Sequence, residues 1–121
     1  MQIQYKGTNY ELTDDITDFA DKKFRTLRKF LGKPEKPNLL YVDLGKFTEA
    51  HQNGAVWYAD ANITVDGERF NAKAQSETLR AAIEKTAKEL CQELRTATKK
   101  KQSMMKRSGS RFKEFFRFGR A

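Results

Sequence analysis

Trp57, Ala59, Ala61, Ile63 and Val65 alternate with Tyr58, Asp60, Asn62 and Thr64; Asp66-Gly67 follows at once, and Phe70, Ala72 and Ala74 then alternate with Arg69, Asn71 and Lys73. A period of two gives each strand one apolar side, and Asp-Gly suits a type I′ turn, in which both central residues need positive φ. The stretch therefore predicts a β-hairpin with a single buried face. Such a hairpin has to be covered by something else in the chain.

The rest of the sequence supplies the cover. Ile3 and Tyr5 alternate with Gln2, Gln4 and Lys6, a first strand that fades near Gly7. Thr13 is a good N-cap, and Asp14, Asp15 and Asp18 favour the positive end of a helix dipole. Ile16, Phe19, Ala20, Phe24, Leu27, Phe30 and Leu31 then recur at helical spacing, and Gly32 and Pro34 stop the pattern. Leu39–Phe47 reads as another strand, with Leu40, Val42 and Leu44 on one side, and residues 48–55 read as a loop. A second helix is expected from about Ser76 or Thr78 to about Thr98, its stripe formed by Leu79, Ala82, Ile83, Thr86, Ala87, Leu90, Leu94 and Ala97. Past Lys99 no periodic apolar face is expected, and Ser108-Gly109-Ser110 should interrupt any helix there.

The order is β-α-β-β-β-α. Strands flanking a helix pair in parallel through a right-handed crossover. The last three strands should form an antiparallel meander. The fold class is α+β: a two-layer sandwich, its four-stranded mixed sheet carrying both helices on one face.

Charge divides the chain. Residues 1–98 hold fifteen Lys and Arg against fifteen Asp and Glu. The whole net charge of +8 lies in residues 99–121, where Lys99, Lys100, Lys101, Lys106, Arg107, Arg111, Lys113, Arg117 and Arg120 accompany Glu114 alone. The expected organisation is a neutral domain, 1–98, and a basic, flexible, Phe-containing tail, 99–121, of the kind that seeks polyanions. No uncharged apolar run exceeds the five residues Ala55–Ala59, too short for a membrane span or a secretory h-region. The lone Cys91 excludes an internal disulfide and a multi-thiolate zinc site, which suits a reduced cytoplasmic setting.

Catalytic chemistry finds little footing. His51, the only histidine, has neither a placed nucleophile nor a second histidine to share a metal. Cys91 falls at the margin of a helical stripe, where cysteine behaves as a small hydrophobe. The glycines stand singly, so no phosphate-cradling loop is present. No enzyme, metal or cofactor is expected.

The cations are better candidates. The first helix carries Asp14, Asp15, Asp18 and Asp21 in its first half and Lys22, Lys23, Arg25, Arg28 and Lys29 in its second. Dipole complementarity and i,i+4 pairs absorb some of these. The remainder reads as a phosphate-binding face. In the tail, Phe112, Phe115, Phe116 and Phe118 interleave with Arg111, Lys113, Arg117 and Arg120. Cations neutralise phosphates and aromatic faces stack on unpaired bases. Alternatively, the phenylalanines could dock on the domain's own core, or the segment could lie on an anionic membrane; nucleic acid is preferred, with no membrane partner.

The residues resemble a known family. Met1-Gln-Ile-Gln, Gly7, Glu11-Leu-Thr-Asp, Phe19, Lys23-Phe, Leu27 and Phe30 are similar to the start of the ribosome hibernation-promoting factors and ribosome-associated inhibitors. Ala59-Asp-Ala-Asn-Ile, Gly67, Ala72, Ala74, Leu79-Arg-Ala-Ala-Ile-Glu, Leu90 and Leu94 resemble that family's third and fourth strands and second helix. The likeness spans about residues 1–101 and weakens between Lys33 and Val56, where this chain is longer. It implies the same β-α-β-β-β-α fold and a non-catalytic protein bound to the small ribosomal subunit, touching ribosomal RNA and neighbouring ribosomal proteins. There it would occupy the decoding centre on the path of messenger and transfer RNA, silencing idle ribosomes in stress or stationary phase.

Lys23 and Lys29 match basic positions of the family, whereas Thr26 departs from a common lysine, with Arg25 and Arg28 as neighbouring substitutes. On the second helix the family's basic run falls here on Glu89, Gln92 and Thr96. The cations stand instead at Lys85, Lys88 and Arg95, with Lys99 beyond. The chain is expected to be a short form without a dimerisation domain, monomeric when free. Two other readings stay open: a free-standing double-stranded-RNA-binding-type module, whose αβββα order follows the first strand, and a regulator that binds an acidic protein partner.

Overall fold

The computed structural model describes residues 1–31, 38–47 and 56–119, with side chains as far as residue 104 in the last stretch. Four strands, β1 (Gln2–Thr8), β2 (Leu39–Lys46), β3 (Trp57–Val65) and β4 (Glu68–Ser76), lie in that spatial order. β1 and β2 are parallel; β2, β3 and β4 form the antiparallel meander. Asp66 (φ 52°) and Gly67 (φ 80°) make the turn that their sequence predicts.

Register explains the core. Ile3, Leu40, Ile63 and Phe70 form one row across the sheet; Tyr5, Val42, Ala61 and Ala72 form the next; Gly7, Leu44, Ala59 and Ala74 the third. Leu40, Val42, Leu44, Ala59, Ala61, Ile63 and Ala72 are buried. The helices cover this face. Ala20, Phe24, Leu27 and Leu31 come from the first, Ala82, Ile83, Ala87, Leu90 and Leu94 from the second. Small residues in the strands let the helices sit close, so the buried Thr86 hydroxyl donates to the Ala59 carbonyl at 3.1 Å. Tyr5 ties β1 to the first helix, its hydroxyl donating to Asp21 at 2.6 Å.

The first helix changes pitch. α1 spans Asp14–Phe24, with the Thr13 hydroxyl accepting from the Ile16 N–H, and continues as a 3-10 segment over Arg25–Phe30. Gly32 and Pro34, the expected stop, lie outside the described residues, as does the whole expected loop 48–55 with His51.

The second helix is longer than its stripe suggests. Thr78 caps it, accepting from the Ala81 N–H at 3.1 Å, and α2 runs Leu79–Gly119. The expectation that it ends near Thr98 and breaks at Ser108-Gly109-Ser110 is not met. A single glycine costs a helix only ~1 kcal/mol, and Lys, Gln, Met, Arg and Glu are good helix formers. The apolar spacing also persists: at 100° per residue, positions 105, 112, 115 and 116 fall on the side of α2 that carries Leu94 and Ala97.

Candidate nucleic-acid interface

The change of pitch arranges the cations of the first helix. In a 3-10 turn, residues three apart eclipse one another. Arg25 and Arg28 therefore stack on one side of the segment, Thr26 and Lys29 on a second, and Leu27 and Phe30 on the third, against the core. Lys22, Arg25, Arg28 and Lys29 are exposed. Arg25 keeps a long contact to Asp21, 3.8 Å. Lys23 is half-buried, its ammonium 3.2 Å from Glu84 of α2 and 5.4 Å from the Phe19 ring centre.

α2 contributes a second row. Lys85, Lys88, Arg95 and Lys99 are exposed, and helical spacing puts them within a sector of about 80°. Their edge faces the 3-10 segment. The Arg95 guanidinium lies 5.8 Å from the Phe30 ring centre and donates to Gln92 at 3.3 Å, while the Lys29 ammonium lies 5.2 Å from the same ring. Between the two elements runs a groove of about 440 Å³, lined by Lys23, Thr26, Lys88, Cys91, Gln92 and Arg95, with Glu84 at its edge. Thr26 donates to the Lys23 carbonyl at 2.8 Å, which keeps that side chain short and the groove open.

The structure thus brings together Lys23, Lys29, Lys88 and Arg95, from helices about sixty residues apart. Sequence reasoning missed what fixes them: Phe19 and Phe30, taken only as core, each hold cations of both helices. Arg80, not a candidate, stands 4.8 Å from the Phe19 ring centre beside Lys23. Its spacing, four residues before Glu84 on α2, was the available signal.

Other candidates lie elsewhere. Lys100 and Lys101 line a separate hollow of about 550 Å³ beside Phe70, Ala97 and Met104, and Lys101 reaches Asp66 of the hairpin turn at 3.6 Å. Lys106, Arg107, Arg111, Phe112, Lys113, Phe115, Phe116 and Arg117 continue the backbone of α2, but their side chains are outside the described set.

The groove offers charge and hydrogen-bond donors without a catalytic arrangement. Among the described residues no group of three His, Cys, Asp or Glu is placed to hold a metal. The shifted proton affinities belong to structural tyrosines. Burial first, then the bond to Asp21, pushes the Tyr5 phenol far above its ordinary range. Burial also raises Tyr58, whose hydroxyl donates to Asp43 at 3.2 Å.

Comparison with known proteins gives a consistent set of similarities. Residues 3–102 match the model of the family described as sigma 54 modulation protein / S30EA ribosomal protein. A ribosome hibernation promoting factor from Klebsiella oxytoca is 32% identical over 94 residues, 78% of this chain and 90% of that protein. The Escherichia coli K12 protein of the same name is 28% identical over the same shares. The crystal structure of the Thermus thermophilus Protein Y N-terminal domain superposes with a TM-score of 0.63 at 23% identity, covering 78% of this chain and 96% of that one. A ribosomal subunit interface protein from Coxiella burnetii gives 0.64 at 18% identity, covering 81% and 98%. Both structures carry the same α+β fold.

Proposed function

The chain belongs to the sigma 54 modulation protein / S30EA ribosomal protein family, and from that premise we propose that it is a ribosome hibernation factor that binds the small subunit and stops translation by occlusion. It is a non-enzymatic, ribosome-associated protein. Its finer mechanism is occupation of the decoding centre, across the path of messenger RNA and of transfer RNA.

One observation carries this reading: Lys23, Lys88 and Arg95 converge on a single groove, with Lys29 beside Arg95 at the Phe30 ring, although the chain's first 98 residues are neutral overall. Cations so placed meet successive phosphates of a folded RNA and position the protein without reading bases. Arg25 and Arg28 extend the row along the 3-10 segment, and Lys85 and Lys99 extend it along α2. The stripe on α2 supports Lys85, Lys88, Arg95 and Lys99 as replacements for the basic run that Glu89, Gln92 and Thr96 interrupt. Lys88 and Arg95 flank Gln92 on the groove side, so α2 presents cations there although that position is neutral. The basic segment 99–121 adds a long cationic arm for an RNA-lined channel. A ribosome-bound protein of this kind works in the cytoplasm, and no helix among the described residues is long and apolar enough to cross a membrane.

Sucrose-gradient sedimentation of stationary-phase extract tests the association. Co-migration with small subunits or whole ribosomes is expected, and a position only at the top of the gradient would reject it. The occlusion mechanism has its own test. Ribosomes preloaded with messenger RNA and transfer RNA should exclude the protein, and equal binding to loaded and empty ribosomes would refute it.

A further inference from the structure

The sheet face away from the helices has no described element over it, and at its centre stands Tyr41, 53% exposed. Register sets its neighbours. Gln4 of β1 and Asn62 of β3 flank it in its own row, and Asn71 of β4 follows Asn62. The adjacent row on one side is Lys6, Asp43, Asp60 and Lys73; on the other, Thr64 pairs with Arg69. Shallow cavities lie on both sides of the ring. One, about 180 Å³, is lined by Gln4, Lys6, Asp43, Asp60 and Asn62 with Tyr41. The other, about 190 Å³, is lined by Leu39, Asn62, Thr64 and Arg69 with Tyr41.

We propose that this face binds single-stranded RNA, with one unpaired base stacked on Tyr41. An exposed ring lying among amides offers a base both a π surface and an edge to hydrogen-bond. Strands lie ~4.8 Å apart and residues two apart along a strand ~6.8 Å, so Lys6 stands one strand over and one row along from Tyr41, and Arg69 two strands over and one row along on the opposite side. Each lines one of the two cavities beside the ring, where it can meet a phosphate of the strand that carries the stacked base. The acids on this face are internally engaged. Asp43 accepts from Thr8 at 2.8 Å and from Tyr58, and Asp60 accepts from Asn71 at 2.7 Å. Three cations, Lys6, Arg69 and Lys73, outnumber the two carboxylates, Asp43 and Asp60, so this face keeps a small positive excess for an anionic strand, and the donors that already bind the carboxylates hold them in place. The site is separate from the groove between the helices, and it does not depend on the reading given above.

The test is a titration of the full chain with octauridylate and octaadenylate, followed by amide shifts and by fluorescence anisotropy. The parent protein should show shifts at Gln4, Tyr41, Asn62 and Arg69. Tyr41→Ala should remove those shifts and weaken the sheet-face contact about tenfold, whereas Tyr41→Phe, which keeps the ring, should stay within about twofold. Because Tyr41 is exposed, both variants should fold. Shifts confined to the helices, or unchanged sheet shifts in Tyr41→Ala, would overturn the proposal. So would a Tyr41→Ala protein with parental oligonucleotide shifts but impaired ribosome binding, since the ring would then meet a protein.

Discussion

Ile63 and Asn62 are neighbours in β3 on opposite faces. Ile63 is 1% exposed beneath the helices, and Asn62 accepts a bond from Asn71 on the open face. Ile63→Ala should cost roughly 2–5 kcal/mol by leaving a cavity. Asn62→Ala should cost well under that, and chemical denaturation of the two variants checks the difference. Tyr58 shows where alternation misleads. Its period assigns it to the polar side, yet it is buried, because Gly45 opposite it has no side chain and Phe47 packs on it at 5.1 Å. A Cβ at Gly45 would stand 2.7 Å from the Tyr58 ring, so one missing side chain decides another's burial. The half-buried Tyr5 gives a pH dependence. Its folded proton affinity is raised, so folding is favoured below the ordinary tyrosine pKa of about 10 and progressively disfavoured above it. Tyr5→Phe should lose about 1 kcal/mol at neutral pH, the usual net worth of a hydrogen bond, and should decline less steeply than the parent in alkaline melts.

At the level of elements, the strands and the start of each helix were readable because alternation, a Thr cap and Asp-Gly are local signals. Two features were not. The 3-10 pitch of Arg25–Phe30 arises from packing Leu27, Phe30 and Leu31 on the core, and no residue type announces it. The length of α2 was hidden because charge dominates its second half, although Met105, Phe112, Phe115 and Phe116 keep the helical interval. Both bear on the site. The pairing of Lys29 with Arg95 needs the pitch change and the approach of α2, so sequence identified most of the cations but not their meeting place. This sharpens the mutational test. Lys23 is held by Glu84, and reversing it would set two carboxylates together, so its loss would report on packing as well as on RNA. Lys88→Glu with Arg95→Glu is the better pair: both are exposed, the melting temperature should stay nearly constant, and ribosome affinity should fall at least tenfold. Glu84→Gln should act in the opposite direction, releasing Lys23 to a phosphate and tightening binding, with little change in stability because an exposed ion pair contributes at most ~1 kcal/mol. Pelleting assays with purified ribosomes distinguish these outcomes.

For the whole molecule, charge and core occupy different parts of the chain. Among the described residues every buried core residue lies between Ala20 and Leu94, while the entire net charge of +8 lies in residues 99–121. Truncation after Thr98 should therefore leave a folded domain. The one described ion pair it removes, Lys101 with Asp66, is exposed on both sides and contributes little. Binding should respond differently. Affinity for RNA falls with salt in proportion to the phosphates neutralised, with a slope of roughly 0.7–0.9 per phosphate. A chain that loses nine cations and one acid loses most of its means of releasing counterions, so the truncated domain should bind ribosomes more weakly and with a much flatter salt dependence. An identical slope would show that the cationic half of α2 is not in contact with RNA. Replacing Phe112, Phe115, Phe116 and Phe118 with alanine separates charge from stacking, because it keeps every cation. If bases or a ribosomal-protein pocket receive those rings, affinity should drop at all salt concentrations with the slope unchanged; if affinity holds, the segment acts through charge alone.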